Sequence, residues 1–260
     1  MYAKKSLGQN FLMHARIAER IAMVAELTSD SVVFEIGPGT GMLTRELLRR
    51  ARKVIALEAD YELFEKLQTE FTKEISERKL ELIRGDVRAF NIGALPKGYA
   101  LVANIPYYLT GEIFRMFLEA ENQPTAMTLL VQKEVADRIV VRDKGSILSL
   151  SIKAYGTPKR EFIVPRGAFV PAPKVDSAVL TIRDISRKNF ASRVEEERFF
   201  ALLHAGFAHK RKFVRSNLAG IVSEKTLRAV GVREGARAED VPLADWISLS
   251  KAEGPALRKG

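Results

Sequence analysis

Asn104-Ile105-Pro106-Tyr107 closes the apolar run Tyr99-Ala100-Leu101-Val102-Ala103 with an amide, a proline and an aromatic ring. Those types suit chemistry on the exocyclic amine of a nucleobase. Adenine N6 is a poor nucleophile because its lone pair is delocalised into the ring, so a catalyst must orient the amine and favour a more tetrahedral nitrogen. The Asn104 side-chain oxygen and the backbone carbonyl beside Pro106 can accept the two amine hydrogens and turn the lone pair toward an electrophile. The Tyr107 ring can stack on the base, a contact worth roughly 1–3 kcal/mol. No strong general base is required, since the nitrogen becomes acidic once alkylated. Standing alone, the four residues also describe a capped strand-to-turn boundary with a core tyrosine.

The electrophile is suggested by a second motif, Glu35-Ile36-Gly37-Pro38-Gly39-Thr40-Gly41, which follows the β-branched run 31–36 and precedes helical spacing over 42–50. Glycines at Gly37, Gly39 and Gly41 let backbone pass close to a ligand at the start of a helix, whose free N–H groups can meet a carboxylate or phosphate. Glu58 ends the next apolar run, 53–58, where its carboxylate can accept from two ribose hydroxyls. Asp86, after the run 80–84, suits an adenine amino group, or is a solvated loop aspartate. These features fit a nicotinamide dinucleotide as well as S-adenosylmethionine. The Asn104-to-Tyr107 motif breaks the tie in favour of methyl transfer from S-adenosylmethionine.

Such residues need a sheet to bring them together. Helical spacing over 13–27 is followed by short apolar runs at 31–36, 53–58, 80–86 and 99–104 that alternate with helical stretches. The pattern predicts an α/β fold, a mostly parallel sheet with helices on both faces and ligands at the carboxyl ends of its strands. Residues 126–132 read as a fifth strand, and 147–155 as strand or helix. Residues 159–164 and 177–182 bracket a proline-rich loop and suggest an antiparallel edge pair. Beyond 183 no strand is legible. We therefore expect a methyltransferase domain over 1–182 and a small C-terminal helical domain over 183–260.

Composition narrows the partner. The 260 residues carry 42 Lys and Arg against 32 Asp and Glu, a formal charge of +10 that favours a polyanion. The excess concentrates in the appendage, with 16 against 10 from 183 onward and 26 against 22 before it. There is no cysteine, which removes disulfides, thiolate nucleophiles and thiolate metal sites. The first residues include no apolar run of signal-peptide length, and a cytoplasmic protein is expected. No metal-ligand cluster is legible, and transfer from a sulfonium needs no Lewis acid, so no metal is expected. No long apolar heptad run suggests a coiled-coil dimer, and a monomer is the expectation.

Several blocks in order resemble the KsgA family of small-subunit (16S) ribosomal RNA adenine N6,N6-dimethyltransferases. They are Leu7-Gly8-Gln9-Asn10-Phe11-Leu12, the glycine loop, Glu58, Gly85-Asp86, Asn104-Ile105-Pro106-Tyr107, Gln132-Lys133-Glu134-Val135-Ala136 and Phe169-Val170-Pro171-Ala172-Pro173-Lys174-Val175-Asp176-Ser177. The likeness covers nearly the whole chain. It implies a Rossmann-like class I methyltransferase fold and cofactor contacts from Asn10, Leu12, Gly37, Gly39, Glu58, Asp86 and Asn104. It implies that Phe169 faces the target adenine opposite Tyr107. It further implies dimethylation of two adjacent adenosines in the 3′-terminal hairpin of small-subunit RNA within an immature 30S particle. The basic stretch His209-Lys210-Arg211-Lys212-Phe213-Val214-Arg215 resembles the family's own, which marks Lys210, Arg211, Lys212 and Arg215 for RNA contact. A solvated helix face is the plainer alternative for any one of them.

Three other readings compete. An Erm-type enzyme acting on large-subunit RNA shares the sheet, but the N-terminal block and the stretch from Phe207 to Lys212 favour the KsgA family. A non-catalytic assembly factor would keep the fold, against which the intact Asn104-to-Tyr107 motif argues. A nicotinamide dehydrogenase lacks a hydride-transfer acid or base near the loop, since the three histidines are His14, His204 and His209.

Overall fold

The computed structural model describes residues 9–141 and 143–252, so Leu7 and Gly8 of the N-terminal block lie outside the described residues. The chain divides into two compact units, one running to Asp137 and including Thr157–Ile185, the other comprising Arg138–Gly156 and the residues from Ser186 onward.

In the first unit the strands are β1 (Phe11–Leu12), β2 (Val32–Ile36), β3 (Lys53–Glu58), β4 (Leu80–Arg84), β5 (Ala100–Asn104), β6 (Ala126–Gln132), β7 (Thr157–Val164), β8 (Phe169–Val170) and β9 (Ser177–Arg183). Its helices include α1 (Ala15–Val24), α2 (Met42–Leu48), α3 (Tyr61–Glu70), α4 (Thr72–Ser76) and α5 (Thr110–Glu119), and α6 (Lys133–Val140) starts in this unit. Seven strands form one sheet in the order β4-β3-β2-β5-β6-β9-β7. The pairs from β4 to β6 are parallel, and β9 joins β6 and β7 antiparallel. This matches the expected α/β class and the antiparallel pairing of the last two strands, with β7 at the edge.

Every residue of β2 is buried, which explains why it is apolar apart from Glu35: a central parallel strand has no solvent face. The chain moves outward through β3 and β4, then returns to place β5 on the other side of β2. That reversal opens a crevice at the carboxyl ends of β2 and β5, the usual ligand position in such sheets. Ile36 pairs with Ala103, so the glycine loop and Asn104 leave the sheet side by side.

Under the sheet, Phe34 stacks on Phe90 at 5.0 Å and meets Phe117 at 5.9 Å. On the other face Leu12, Ile21, Leu47, Leu130, Phe169 and Val179 belong to one apolar cluster. A two-stranded ribbon has no counterpart in the sequence pattern: β1 pairs antiparallel with β8, Leu12 opposite Phe169, and Met13 N–H donates to the Ala168 carbonyl at 2.9 Å. It joins two of the blocks that carry the resemblance, which are far apart in the chain.

The second unit is helical, with α7 (Ile147–Tyr155), α8 (Arg193–Gly206), α9 (Val214–Asn217), α10 (Glu224–Ala229) and α11 (Leu243–Lys251). Residues 147–155 are therefore a helix, started by a Ser146–Ser149 capping box. Buried Glu196 accepts from the Tyr155 hydroxyl and, at 3.0 Å, from Arg187 Nε. Trp246 fills the core over Gly206, where a side chain would collide with the indole. No helix of the described residues is long and apolar enough to cross a membrane.

Candidate active site

The glycine loop is held from below. Gly37, Gly39 and Gly41 have φ of 65°, 61° and 76°, the left-handed region that glycine adopts without steric cost. Gly37 N–H donates to the Leu57 carbonyl at 2.9 Å, and Gly41 N–H to Pro38 at 2.9 Å. Gly39 N–H donates to Glu58 Oε2 at 3.0 Å, and Asp60 N–H to Glu58 Oε1 at 2.9 Å. Glu58 thus ties the loop after β2 to the start of α3, whose first turn Asp60 caps at Glu62 N–H, 2.9 Å. Each carboxylate oxygen keeps a second lone pair for a ligand hydroxyl. Burial pushes the Glu58 carboxyl above its ordinary range, and the N–H groups of Asp60 and Gly39 offset part of that rise.

Glu35, one strand residue before Ile36, carries no expected role from the sequence beyond its place in the motif. It is 1% exposed and lines the same cavity, and its Oε2 has no hydrogen-bond partner among the described residues. Burial pushes its pKa up to about 8, with the nearby Thr44 hydroxyl lowering it and the charge of Glu58 raising it. Glu35 therefore carries a proton at neutral pH and can donate to a ligand. The signal that could have found it is a lone acid inside an otherwise apolar, fully buried strand.

This burial has a pH consequence. Below pH 4.5 the carboxyl is protonated folded or unfolded and costs nothing; above it the unfolded carboxyl ionises while the folded one does not, so stability falls until about pH 8 and then levels. Glu35→Gln removes this residue's part of the slope. The variant should match the parent near pH 4 and exceed it at pH 8 by on the order of a few kcal/mol in urea titrations. A pH-independent difference would contradict the assignment.

Across the crevice, Asn104 Nδ2 donates to the Asn10 carbonyl at 3.1 Å. That bond fixes the amide with Oδ1 available as an acceptor and ties β5 to the chain entering β1. The Pro106 carbonyl already accepts from Leu109 N–H at 3.0 Å, so the carbonyl beside it, that of Ile105, is the better placed second acceptor. Tyr107 is half-buried, its hydroxyl 2.5 Å from Ser177 Oγ, which orients the ring. Asp86 lines the cavity but is engaged: its carboxylate takes the Nε and Nη2 of Arg88 at 2.5–3.1 Å and Arg88 N–H at 2.9 Å. The guanidinium holds the Asp86 carboxyl below its ordinary range.

The cavity is lined by Asn10, Leu12, Gly37, Gly39, Glu58, Asp86, Asn104, Pro106 and Tyr107. The structure thus brings together every expected cofactor residue. Phe169 is not among the lining residues. It is 2% exposed, paired with Leu12 in the ribbon and packed in the core, so a base could reach its ring only if the ribbon moved.

In the helical unit, Lys210, Arg211, Lys212 and Arg215 are all exposed. The first three sit on the turn between α8 and α9 rather than on a helix face. Asn217 Nδ2 pins that turn by donating to the carbonyls of Gly206 at 2.5 Å and His209 at 3.2 Å. Phe213 is exposed beside them, with the Arg215 guanidinium 5.9 Å from its ring centre.

Known proteins share both the sequence and the fold. A model of the ribosomal RNA adenine dimethylase family matches residues 1–253. The chain is 40% identical over 258 residues to "Ribosomal RNA small subunit methyltransferase A" of Dehalococcoides mccartyi, covering 95% of this chain and 87% of that protein. It is 37% identical over 258 residues to the protein of the same name from Deinococcus radiodurans, covering 96% and 85%. Among solved structures it resembles the 23S rRNA methyltransferase ErmE, with a TM-score of 0.77 and 29% identity over 93% of this chain and 98% of that one. A dimethyladenosine transferase from Plasmodium falciparum shares the fold, with a TM-score of 0.79 and 23% identity over 92% and 95%.

Proposed function

Because the chain belongs to the ribosomal RNA adenine dimethylase family, we propose that it dimethylates N6 of two adjacent adenosines in the 3′-terminal hairpin of small-subunit RNA, using S-adenosylmethionine. The observation that carries this reading is the Asn104 amide, fixed through Nδ2 beside the glycine loop with its oxygen left to accept. Relatives at 37–40% identity named for the small subunit favour that RNA over the 23S rRNA for which ErmE is named. The reaction then takes place in the cytoplasm on an immature 30S particle, catalysed by a monomer.

The residues fit the cofactor. Bare backbone at Gly37 and Gly39 leaves room for close approach, and the orphaned Glu35 Oε2 awaits a partner. Glu58 would hold the ribose hydroxyls and Asp86 the adenine amine, competing there with Arg88, while Asn10 and Leu12 cover the site from β1. S-adenosylmethionine supplies an electrophilic methyl group. Asn104 Oδ1 and the Ile105 carbonyl would accept the two N6 hydrogens, Pro106 would fix the chain between them and the Tyr107 ring, and Tyr107 would carry the base. The buried face of the crevice would exclude competing water. Loop adenosines are partly unstacked, so bringing one into the crevice costs less than opening a paired stack. Phe169 would join the clamp after movement of the ribbon. Lys210, Arg211, Lys212 and Arg215 would contact RNA phosphates.

Two measurements test this. S-adenosylmethionine should raise the melting temperature while NAD leaves it unchanged, and labelled methyl groups should enter unmethylated small subunits rather than large ones. Glu58→Ala should weaken S-adenosylmethionine binding about tenfold or more by calorimetry, since hydrogen bonds to charged groups are worth roughly 1.5–3 kcal/mol. Unchanged affinity would remove Glu58 from the ribose site.

A further inference from the structure

The cavity is built from buried and half-buried residues, with three exceptions: Ala59, Arg88 and Tyr108 line it and are exposed. Arg88 and Tyr108 are the two large side chains on its rim. Tyr108 is 57% exposed, so part of its ring faces solvent at the mouth of the cavity. It follows Tyr107 directly on the short turn Tyr107–Leu109 that leads into α5, so its position is set by the same backbone that presents Tyr107. Arg88 is anchored from one side: Asp86 takes Nε and Nη2, which leaves the Nη1 hydrogens directed elsewhere. The Tyr108 phenol and the Glu112 carboxylate lie within electrostatic reach of that guanidinium.

We propose that Tyr108 and Arg88 form a second nucleotide-holding element at the rim, Tyr108 stacking on the base next to the target adenosine and Arg88 pairing with a phosphate of that nucleotide. This rests on the RNA adenine methylation reading above and deepens it. A ligand seated on the cavity floor meets buried side chains, whereas a polynucleotide must arrive over the rim, where a flat π-face and an oriented cation offer the two contacts single strands use. With Phe169 enclosed in the core, Tyr108 offers an incoming strand a second aromatic ring at the cavity, beside Tyr107 and further out on the rim. Adjacent target adenosines give the element a purpose: while one occupies the crevice, the other rests on Tyr108.

The test compares the unmutated protein with Tyr108→Ala and Tyr108→Phe in steady-state methylation of unmethylated small subunits, with S-adenosylmethionine affinity measured separately by calorimetry. Tyr108→Ala should raise KM for the subunit roughly 5- to 100-fold, the loss expected for one base-aromatic stack. Its S-adenosylmethionine affinity should stay within about twofold, and Tyr108→Phe, which keeps the ring, should restore the parent KM. Arg88→Gln should reduce the slope of log affinity for the subunit against log salt by about one. An unchanged subunit KM in Tyr108→Ala overturns the proposal. So does weakened cofactor binding with normal subunit KM, which would assign the ring to the cofactor. If the unmutated protein methylates no subunit, the underlying reading falls and takes the proposal with it, an outcome visible before any variant is tested.

Discussion

Asn104→Ala should lower the single-turnover rate of methyl transfer by about 10²- to 10³-fold, the cost typical of removing one preorganised polar contact to a reacting centre, while RNA affinity stays within about twofold. The reason is geometric. Asn104 Oδ1 is one of two acceptors that would turn the N6 lone pair toward the methyl group, and its amide is already oriented by the Nδ2 bond to the Asn10 carbonyl. The proposed base stacking on Tyr107 and phosphate contacts elsewhere would not depend on that oxygen. Asn104→Asp separates the two parts of the role: it keeps an acceptor but loses the donor to Asn10, and should fall between parent and alanine. Equal loss of RNA binding and rate in Asn104→Ala would instead mean that Asn104 holds the substrate without orienting the amine.

Gly41→Val should destabilise the protein by about 2–5 kcal/mol and abolish measurable cofactor binding at ordinary concentrations. Gly41 has φ of 76°, a conformation that costs a β-branched residue heavily. A Cβ there would stand 2.6 Å from Phe71 and 3.0 Å from Leu67, inside the core that supports α2 and α3. The side chain and the backbone strain act together, because relieving either moves the loop that presents Gly37 and Gly39. Gly37→Ala is the informative contrast. Its φ is equally left-handed at 65°, but a Cβ added there would meet no atom within 4 Å, so only the backbone cost remains. Urea titrations and calorimetry of the two variants separate steric collision from strain; equal destabilisation would deny the contact with Phe71 any role.

Most of the sheet is legible in the sequence because its central strands are buried on both faces. A run such as Val32-Val33-Phe34-Glu35-Ile36 must be mostly apolar and rich in β-branched residues to fill that position, and the glycines that follow it mark the carboxyl end. Glu58, Asp86 and Asn104 can therefore be placed at strand ends as candidate cofactor contacts, whereas Asn10 and Leu12 rest on the resemblance alone. Residues 147–155 stay ambiguous because Leu148-Ser149-Leu150-Ser151-Ile152-Lys153 alternates apolar and polar residues as a strand does, and the Ser146–Ser149 cap that starts the helix is a weak local signal. The β1–β8 ribbon is invisible for a different reason: a two-residue strand has no pattern of its own and exists only through its distant partner. The burial of Phe169 follows from that ribbon. Glu35 needs the burial that only the folded chain reveals, since its proton depends on the absence of solvent rather than on its neighbours in sequence. The Asp86–Arg88 pair, two residues apart, is legible in principle as a local ion pair that limits what Asp86 is free to accept.

The crevice between β2 and β5 is proposed to orient adenine N6 for two methyl transfers. The direct measurement is mass spectrometry of the nucleosides formed when the protein and labelled S-adenosylmethionine are incubated with unmethylated small subunits, with the label mapped along the RNA. The geometry predicts N6,N6-dimethyladenosine at two adjacent adenosines of the 3′-terminal hairpin. Label on another nucleobase or on large-subunit RNA, or tight subunit binding with no label at all, would contradict it.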